Sequence, residues 1–448
     1  MRKTNRSRRM FLSRCAGLGA AAAGFGWGGF PRAARAAVSD YKALVCVQLL
    51  GGNDGNNVIV PVDSGRYSAY QAMRGGLTLS GSELLDPIAD ALGNPYALHY
   101  GLTEIHDLYE SGRVAFVLNT GMLHGPLTRA QYLAGQNSPS NLFSHSDQTV
   151  QIQTGTPVPD GRGWGGRLLD LFAVGDSLAA VSVSSPSLLL QGANIAPNIV
   201  PPGSDLGIWG MGLWPQSAAA ARRSALEQIA SMGSSDPIVA RANATLADGV
   251  ALSDTLTSGA ALPALSTDLP ATSIGNQLKE VLRLIRSRSA AGPGRQVFYC
   301  TLEGFDTHGG QDWQHWSLLS QLSQAVAAFH ESTVEAGLSD QVVLFTQSEF
   351  GRTLQPSGSG CDHGWGSHHF VVGDAVQGGI YGQMPTFALG GPDDANNRGV
   401  WIPTIGTAQY GATLGRWFGA SDLALESVFP NLSAFHASTY GTDVGFMG

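Results

Sequence analysis

Three short segments hold most of the side chains able to do chemistry: Gly51-Gly52-Asn53-Asp54-Gly55, Phe305-Asp306-Thr307-His308-Gly309 and Asp362-His363-Gly364-Trp365-Gly366-Ser367-His368-His369. Each follows a run that reads as a buried strand, or a glycine-bounded turn after one. Each offers Asp or His from a backbone flexible enough to let them converge. Carboxylate oxygen and imidazole nitrogen are the ligands that hard and borderline divalent cations take. Loops at the carboxyl ends of parallel strands are where α/β proteins bind ligands. The three segments together predict a metal site, with hydrolysis as its natural extension.

Positioning these segments requires an alternation of strands and helices, and the chain has one. Ala43–Leu50, Val114–Asn119, Leu178–Val183, Gln296–Leu302 and Val342–Thr346 are near-continuous apolar runs. Runs of this length indicate strands covered on both faces, hence a mainly parallel sheet between helices. Between the last two, Trp313–Ala336 carries Leu318, Leu319, Leu322, Val326 and Phe329 at helical spacing and reads as a crossover helix. Asn276–Arg288 has Leu278, Val281, Leu282 and Ile285 on one face, and residues 406–418 read as a closing helix. The stretch from about 191 to 270 is rich in Ser, Ala, Gly and Pro, with helical patches at Ala218–Met232 and Val239–Leu256. It is expected to be a helical insertion outside the sheet. Residues 378–406 lack periodicity and carry Pro385, Pro392 and Pro403, which predicts a long surface loop.

The amino terminus carries an address. Ser7-Arg8-Arg9-Met10-Phe11-Leu12-Ser13 is a twin-arginine pattern, followed by a weakly apolar stretch from Ala16 to Phe30 and the small–x–small site Ala34-Arg35-Ala36. The stretch is too short and too glycine-rich to span about 30 Å of hydrocarbon. Residues 1–36 are therefore expected to be a removable export signal, with a periplasmic or secreted mature domain over 37–448 that engages the twin-arginine translocase only in transit. Cys46, Cys300 and Cys361 remain after cleavage, so at most one disulfide can form and a disulfide framework is excluded. CxxC-type spacing is absent, which argues against thiolate ligation by Cys361. A formal charge of -8 without a basic stripe gives nucleic acid no electrostatic footprint. With 43% hydrophobic and 13% charged residues the chain can bury a sizeable core, and its 59 glycines point to long irregular connections.

The twin-arginine leader, Leu49-Leu50-Gly51-Gly52-Asn53-Asp54-Gly55-Asn56-Asn57, Gly304-Phe305-Asp306-Thr307-His308, Ser348-Glu349-Phe350-Gly351-Arg352-Thr353 and Asp362-His363-Gly364 follow one another in the order seen in a bacterial family. The chain resembles the domain-of-unknown-function family 1501, itself similar to the alkaline-phosphatase/sulfatase superfamily. The resemblance spans essentially the whole mature chain. It implies a doubly wound α/β sheet with a divalent-metal centre at the strand ends, and no particular substrate.

Carried over residue by residue, the resemblance makes Asp54 a ligand, although a turn role in Asn-Asp-Gly competes with it. Asp306 and His308 resemble the pair that holds a second metal. Two apart in extended backbone, they face the same way and can reach one ion. After the fifth strand an Asp-His pair is expected, but Ser348-Glu349-Phe350 stands there, leaving Glu349 as the ligand candidate. His363 takes the role of the last histidine, with Asp362 as a ligand or as the acceptor that fixes its tautomer. His368 and His369 point to opposite faces if they begin a strand at Phe370, so at most one reaches the site. Arg352 is a candidate for steadying an anionic oxygen. The nucleophile is sought where a helix begins, in the cluster Ser144-His145-Ser146-Asp147-Gln148; Ser144 and Ser146 are the candidates, against the simpler reading of a helix cap.

The expectation is an exported hydrolase of phosphate or sulfate esters using zinc or manganese rather than calcium, on a small or polymer-linked anionic ester. The alternative is a secreted or cell-surface binding or assembly protein that keeps the fold without the chemistry. A serine hydrolase is disfavoured, since no Gly-x-Ser-x-Gly elbow follows a strand.

Overall fold

The structure, a computed structural model, describes residues 41–448 apart from 174–176, 204–206, 209, 258–261 and 289–293. The export signal expected over 1–36 lies outside the described residues. The main sheet has nine strands: β1 (Lys42–Leu50), β2 (Val114–Gly121), β3 (Ala180–Ser182), β4 (Asn198–Ile199), β5 (Arg295–Glu303), β6 (Val342–Gln347), β7 (Ser367–Val372), β8 (Gly379–Tyr381) and β9 (Ile405–Gly406). Their order is β8-β2-β7-β6-β1-β5-β3-β4, with β9 also on β2. β1 runs parallel to both β5 and β6, and β3 parallel to β5 and β4. Only β7 is reversed, antiparallel to β6 on one side and β2 on the other. A small antiparallel sheet of Ile59–Pro61, Ile88–Ala89 and Pro95–Leu98 lies apart from it.

Strand periodicity divides the core in two. Ala43, Val45, Val47 and Leu49 of β1 join one cluster, while Leu44 and Cys46 join the other. The first cluster is capped by α6 (Ser273–Ser287), through Leu278, Val281 and Ile285, and by α7 (Gln311–Glu335), through Leu319, Leu322, Val326 and Phe329. The second is capped by α3 (Trp164–Asp170) and α8 (Thr407–Phe418), through Trp164, Leu168, Tyr410 and Leu414. A sheet buried on both faces is why these strands read as continuous apolar runs. The fold is α/β, with a mixed, mostly parallel sheet between helical layers.

Two expectations need correction. The stretch 191–270 does contain the paired helices α4 (Ala219–Ala230) and α5 (Pro237–Thr257), but it also supplies β4 to the sheet edge. Residues 378–406 are not a surface loop: β8 and β9 pair with β2, and Val400, Trp401 and Ile402 are buried. Short edge pairings of two or three residues leave no periodicity for the sequence to display. The cysteines Cys46, Cys300 and Cys361 are all buried and free.

Parallel β1, β5 and β6 end on one edge of the sheet, and antiparallel β7 begins there. The loops 51–54, 304–310, 348–353 and 362–366 therefore share that edge.

Candidate metal centre

His145 opens α2 (His145–Thr154), directly after its N-cap Ser144, while Asp306 and His308 lie in the loop between β5 and α7. His363 lies in the approach to β7. The Nε2 atoms of His145 and His363 stand 3.1 Å apart, and those of His308 and His363 also 3.1 Å. Asp306 Oδ1 is 3.6 Å from His145 Nε2, 3.1 Å from His308 Nε2 and 3.3 Å from His363 Nε2. His145, Asp306 and His363 form a group in which each offers one ligand atom close to the others. Donors about 2.0–2.1 Å from one tetrahedral ion are separated by roughly 3.3–3.4 Å. The observed spacings scatter around that figure.

The atoms behind the imidazoles say which nitrogen holds the proton. His145 Nδ1 lies 2.9 Å from Glu349 Oε1, a carboxylate that can only accept, so the proton is on Nδ1. His363 Nδ1 donates to the Phe143 carbonyl at 2.7 Å. In their neutral forms both rings therefore present a bare Nε2 lone pair to the other. Such a contact requires a proton or a cation between them. The Phe350 ring packs against both, its centroid 4.8 Å from that of His145 and 4.7 Å from that of His363.

Charge follows the same geometry. The hydrogen bond that His145 donates to Glu349 raises the pKa of His145, against the opposing effect of burial. Burial lowers that of His363, only partly offset by the Phe143 carbonyl. Burial would raise the Asp306 carboxyl, but the Arg352 guanidinium, 2.5 Å from Oδ1, holds it below the ordinary carboxylate range. The Arg398 hydrogen bond does the same for Asp362.

Several expected site residues have other employment. Asp54 is not in the group: its carboxylate is buried and accepts from Arg74 Nη2, Gln311 Nε2 and Asn56 Nδ2, which leaves it as the counter-charge of a buried arginine. Glu349 stands behind His145 rather than beside it in the donor group; Oε1 accepts from His145 and from Gly51 N at 2.7 Å. Asp362 does not fix His363. Its Oδ1 lies 3.6 Å from His308 Nδ1 and its Oδ2 pairs with Arg398. Arg352 is buried, donating from Nε to Gly52 O, from Nη1 to Cys361 O and from Nη2 to Gly51 O and Asp306. It fastens loops and orients Asp306 instead of offering a free fork to an anion.

Ser144 is a cap: its hydroxyl lies 2.5 Å from Asp147 Oδ2 and accepts from Asp147 N. Exposed Ser146 meets only the Ser144 hydroxyl, at 3.2 Å, and no hydrogen bond joins either serine to the histidines. The Cys361 sulfur accepts from Arg74 Nη1 at 3.0 Å, away from the donor group. His368 and His369 are both buried in β7. His368 Nδ1 accepts from Asn119 N, and His369 packs towards Tyr410. His145, by contrast, was legible only as part of a polar helix start; no spacing signal connects it to His363.

Sheet, strand-end loops and donor group together define an α/β protein with a candidate metal centre at the carboxyl edge of its parallel strands. The chain belongs to the DUF1501 family, described as a protein of unknown function, whose model matches residues 41–398. No curated protein matches the sequence. Among solved structures it is similar to the PsFucS1 sulfatase from Pseudoalteromonas sp., at 8% identity over 94% of this chain and 73% of that one, TM-score 0.35. It is also similar to Ps i-CgsB in complex with k-i-k-neocarrahexaose, at 9% identity over 85% and 72%, TM-score 0.37. A third is the C-terminal periplasmic domain of EcEptC from Escherichia coli in complex with Zn, at 7% identity over 76% and 75%, TM-score 0.34. Among the described residues no helix is long and apolar enough to cross a membrane.

Proposed function

We propose that this chain is an exported hydrolase of phosphate or sulfate esters that depends on one divalent cation. The observation that carries the reading is the pair of Nε2 atoms of His145 and His363, 3.1 Å apart, each with its proton held on the far nitrogen. A nitrogen–oxygen donor set of this kind suits zinc or manganese. The holders are His145, His363 and Asp306, with His308 beside them. An imidazole Nε2 has one lone pair, so His363 serves one ion, which favours a single cation over two. When bound, the cation would supply Lewis-acid polarisation of an ester oxygen. Glu349 keeps the proton on His145 Nδ1, the Phe143 carbonyl keeps that on His363 Nδ1, and Arg352 aims Asp306 Oδ1 at both rings. The Asp306 side chain is 50% exposed, so an ester and a water can approach. With Ser144 engaged as a cap, water is the nucleophile of this reading. The commitment of Arg352 and Ser144 favours the alternative, a non-catalytic binding protein, and one experiment separates the two.

Purified wild-type protein should contain about one zinc or manganese per chain after supplementation. His145→Ala and His363→Ala should lose the metal and ester hydrolysis together while keeping the far-ultraviolet circular dichroism of wild type. Protein that stays metal-free and inert towards phosphate and sulfate esters would leave only the binding reading. Export is proposed from Arg8-Arg9 and the Ala34-Arg35-Ala36 site. Replacing both arginines by lysine should leave uncleaved precursor in the cytoplasm, and normal periplasmic accumulation would refute the route.

A further inference from the structure

The turn that leads into α2 carries backbone strain. Among the described residues, those other than glycine with a positive φ are Asn119, Asn137, Asn141, Phe143 and Asn397. Four are asparagine, whose short amide tolerates the left-handed region. Phe143, at φ +75°, is the exception, and a bulky side chain there is an outlier that costs energy. Such a conformation persists only where its surroundings over-determine it, and functional sites are where it is found. Phe143 meets both conditions. Gln148 and Gln151, buried in α2, donate through Nε2 to the Ser140 carbonyl at 3.1 and 2.9 Å. Ser144 N donates to the Asn141 carbonyl at 3.2 Å, closing the turn that contains Phe143, and the Ser144 hydroxyl caps α2. The Phe143 side chain is partly buried against the second core. A glycine would take this backbone without steric cost, so the ring supplies what glycine lacks, an anchor on the core.

What the strain achieves lies on either side of one imidazole. The Phe143 carbonyl accepts from His363 Nδ1 at 2.7 Å. Two residues on, His145 brings its Nε2 to 3.1 Å from His363 Nε2, and the two rings meet edge to face with centroids 4.4 Å apart. The chain thus brackets His363, with an acceptor behind the ring and a second imidazole in front of it. A return of Phe143 to the ordinary α region, near −60°, is a rotation of about 135°. Rotation about that N–Cα bond moves everything downstream of it relative to Ser140 and Asn141. The carbonyl would leave His363 and the start of α2 would be re-aimed by the same movement.

We infer that Phe143 is a positioning residue for both histidines: its left-handed backbone, anchored by its ring, sets the acceptor behind His363 and the approach of His145 together. The inference rests on the metal centre proposed above, and its test includes a readout that needs no metal.

The test compares residues that differ in their tolerance of a positive φ. Phe143→Gly and Phe143→Asn accept it, whereas Phe143→Val, being β-branched, does not. All three lose the aromatic ring, so differences among them report the backbone. In zinc titration against a competing chelator, the glycine and asparagine variants should bind within about threefold of each other, and the valine variant at least about tenfold more weakly than either. If the valine variant does not fold, Phe143→Ala set against Phe143→Gly asks the same question with one methyl group, and alanine should bind more weakly. The second readout is the imidazole ¹⁵N spectrum of metal-free protein at a pH where the rings are neutral. His363 should carry its proton on Nδ1 in wild type and in the glycine and asparagine variants, and should show a mixture of tautomers in the valine variant. Equal measurable affinities, or a His363 tautomer that is the same in every variant, overturns the inference. Tautomers that differ in a protein taking up no zinc would uphold the role of Phe143 and overturn the metal reading instead.

Discussion

An imidazole can lend a lone pair only from the nitrogen that does not hold the proton, so the acceptor behind a histidine is part of any site it builds. Glu349 and the Phe143 carbonyl play that part for His145 and His363. Asp54, which sits in the most conspicuous glycine-rich motif, instead neutralises buried Arg74. These assignments predict opposite phenotypes for two acidic residues. Glu349→Gln should weaken metal binding about 10–100-fold, since the carboxylate behind a ligating histidine contributes on that scale, with little loss of stability. Asp54→Asn should leave metal stoichiometry unchanged but destabilise the fold by about 3–5 kcal/mol, because it strands a buried guanidinium. Competition with a chelator and urea unfolding measure the two quantities. Loss of metal from folded Asp54→Asn protein would return Asp54 to the ligand set.

Elements bring these residues together through strand direction. β1, β5 and β6 deliver their loops to one edge because they are parallel, and β7 receives the His363 loop there because it is antiparallel. At that edge the loop after β1 passes directly against the loop after β5. Gly51 has φ +116°, and a Cβ there would lie 2.3 Å from Asp306 N. Both the backbone conformation and the space exclude a side chain. Gly51→Ala should therefore displace Asp306, costing about 1–3 kcal/mol of stability and at least about tenfold in metal affinity. Chemical denaturation and metal titration of the same preparation test this. Wild-type affinity in a folded Gly51→Ala protein would show that the loops do not depend on each other.

At the scale of the whole molecule, two cores sandwich the sheet and enclose several histidines that the donor group does not use. Burial lowers the pKa of His99 and His369 to about 3 and that of His368 to about 4. In the unfolded chain the same residues titrate near 6.5. Above about pH 6.5 both states are neutral and the stability they allow is fully present. As pH falls below that, the unfolded state takes up protons that the folded state refuses. Stability should then drop by about 1.4 kcal/mol per pH unit for each histidine, until the folded-state values are reached. Urea midpoints of chelator-treated protein, free of any metal release, should fall steeply between pH 6.5 and 4.5. A flat profile would mean that these rings gain protons without unfolding.

The strands β1, β2, β3, β5 and β6, the crossover helix α7, the helix α6 and the closing helix were legible in the sequence. Their apolar spacing is a local signal, repeated over many residues, that any sheet covered on both faces imposes. Asp306, His308 and His363 were legible as chemistry-bearing residues for a similar reason: each sits in a short motif at a strand end. The donor partners were not. His145 and His363 lie 218 residues apart, and nothing along the chain couples a helix start to a distant loop. Whether a carboxylate faces a cation, as Asp306 can, or a buried arginine, as Asp54 does, depends on what the opposite loop contributes. Arg352 and Ser144 show the same limit, since hydrogen bonds to neighbouring loops and to the helix backbone had already taken the groups that a substrate would need. Residue type and local pattern determined which side chains could do chemistry; only the tertiary arrangement decided which of them were left free to do it, because each polar group has few bonds to give and burial requires that they be given.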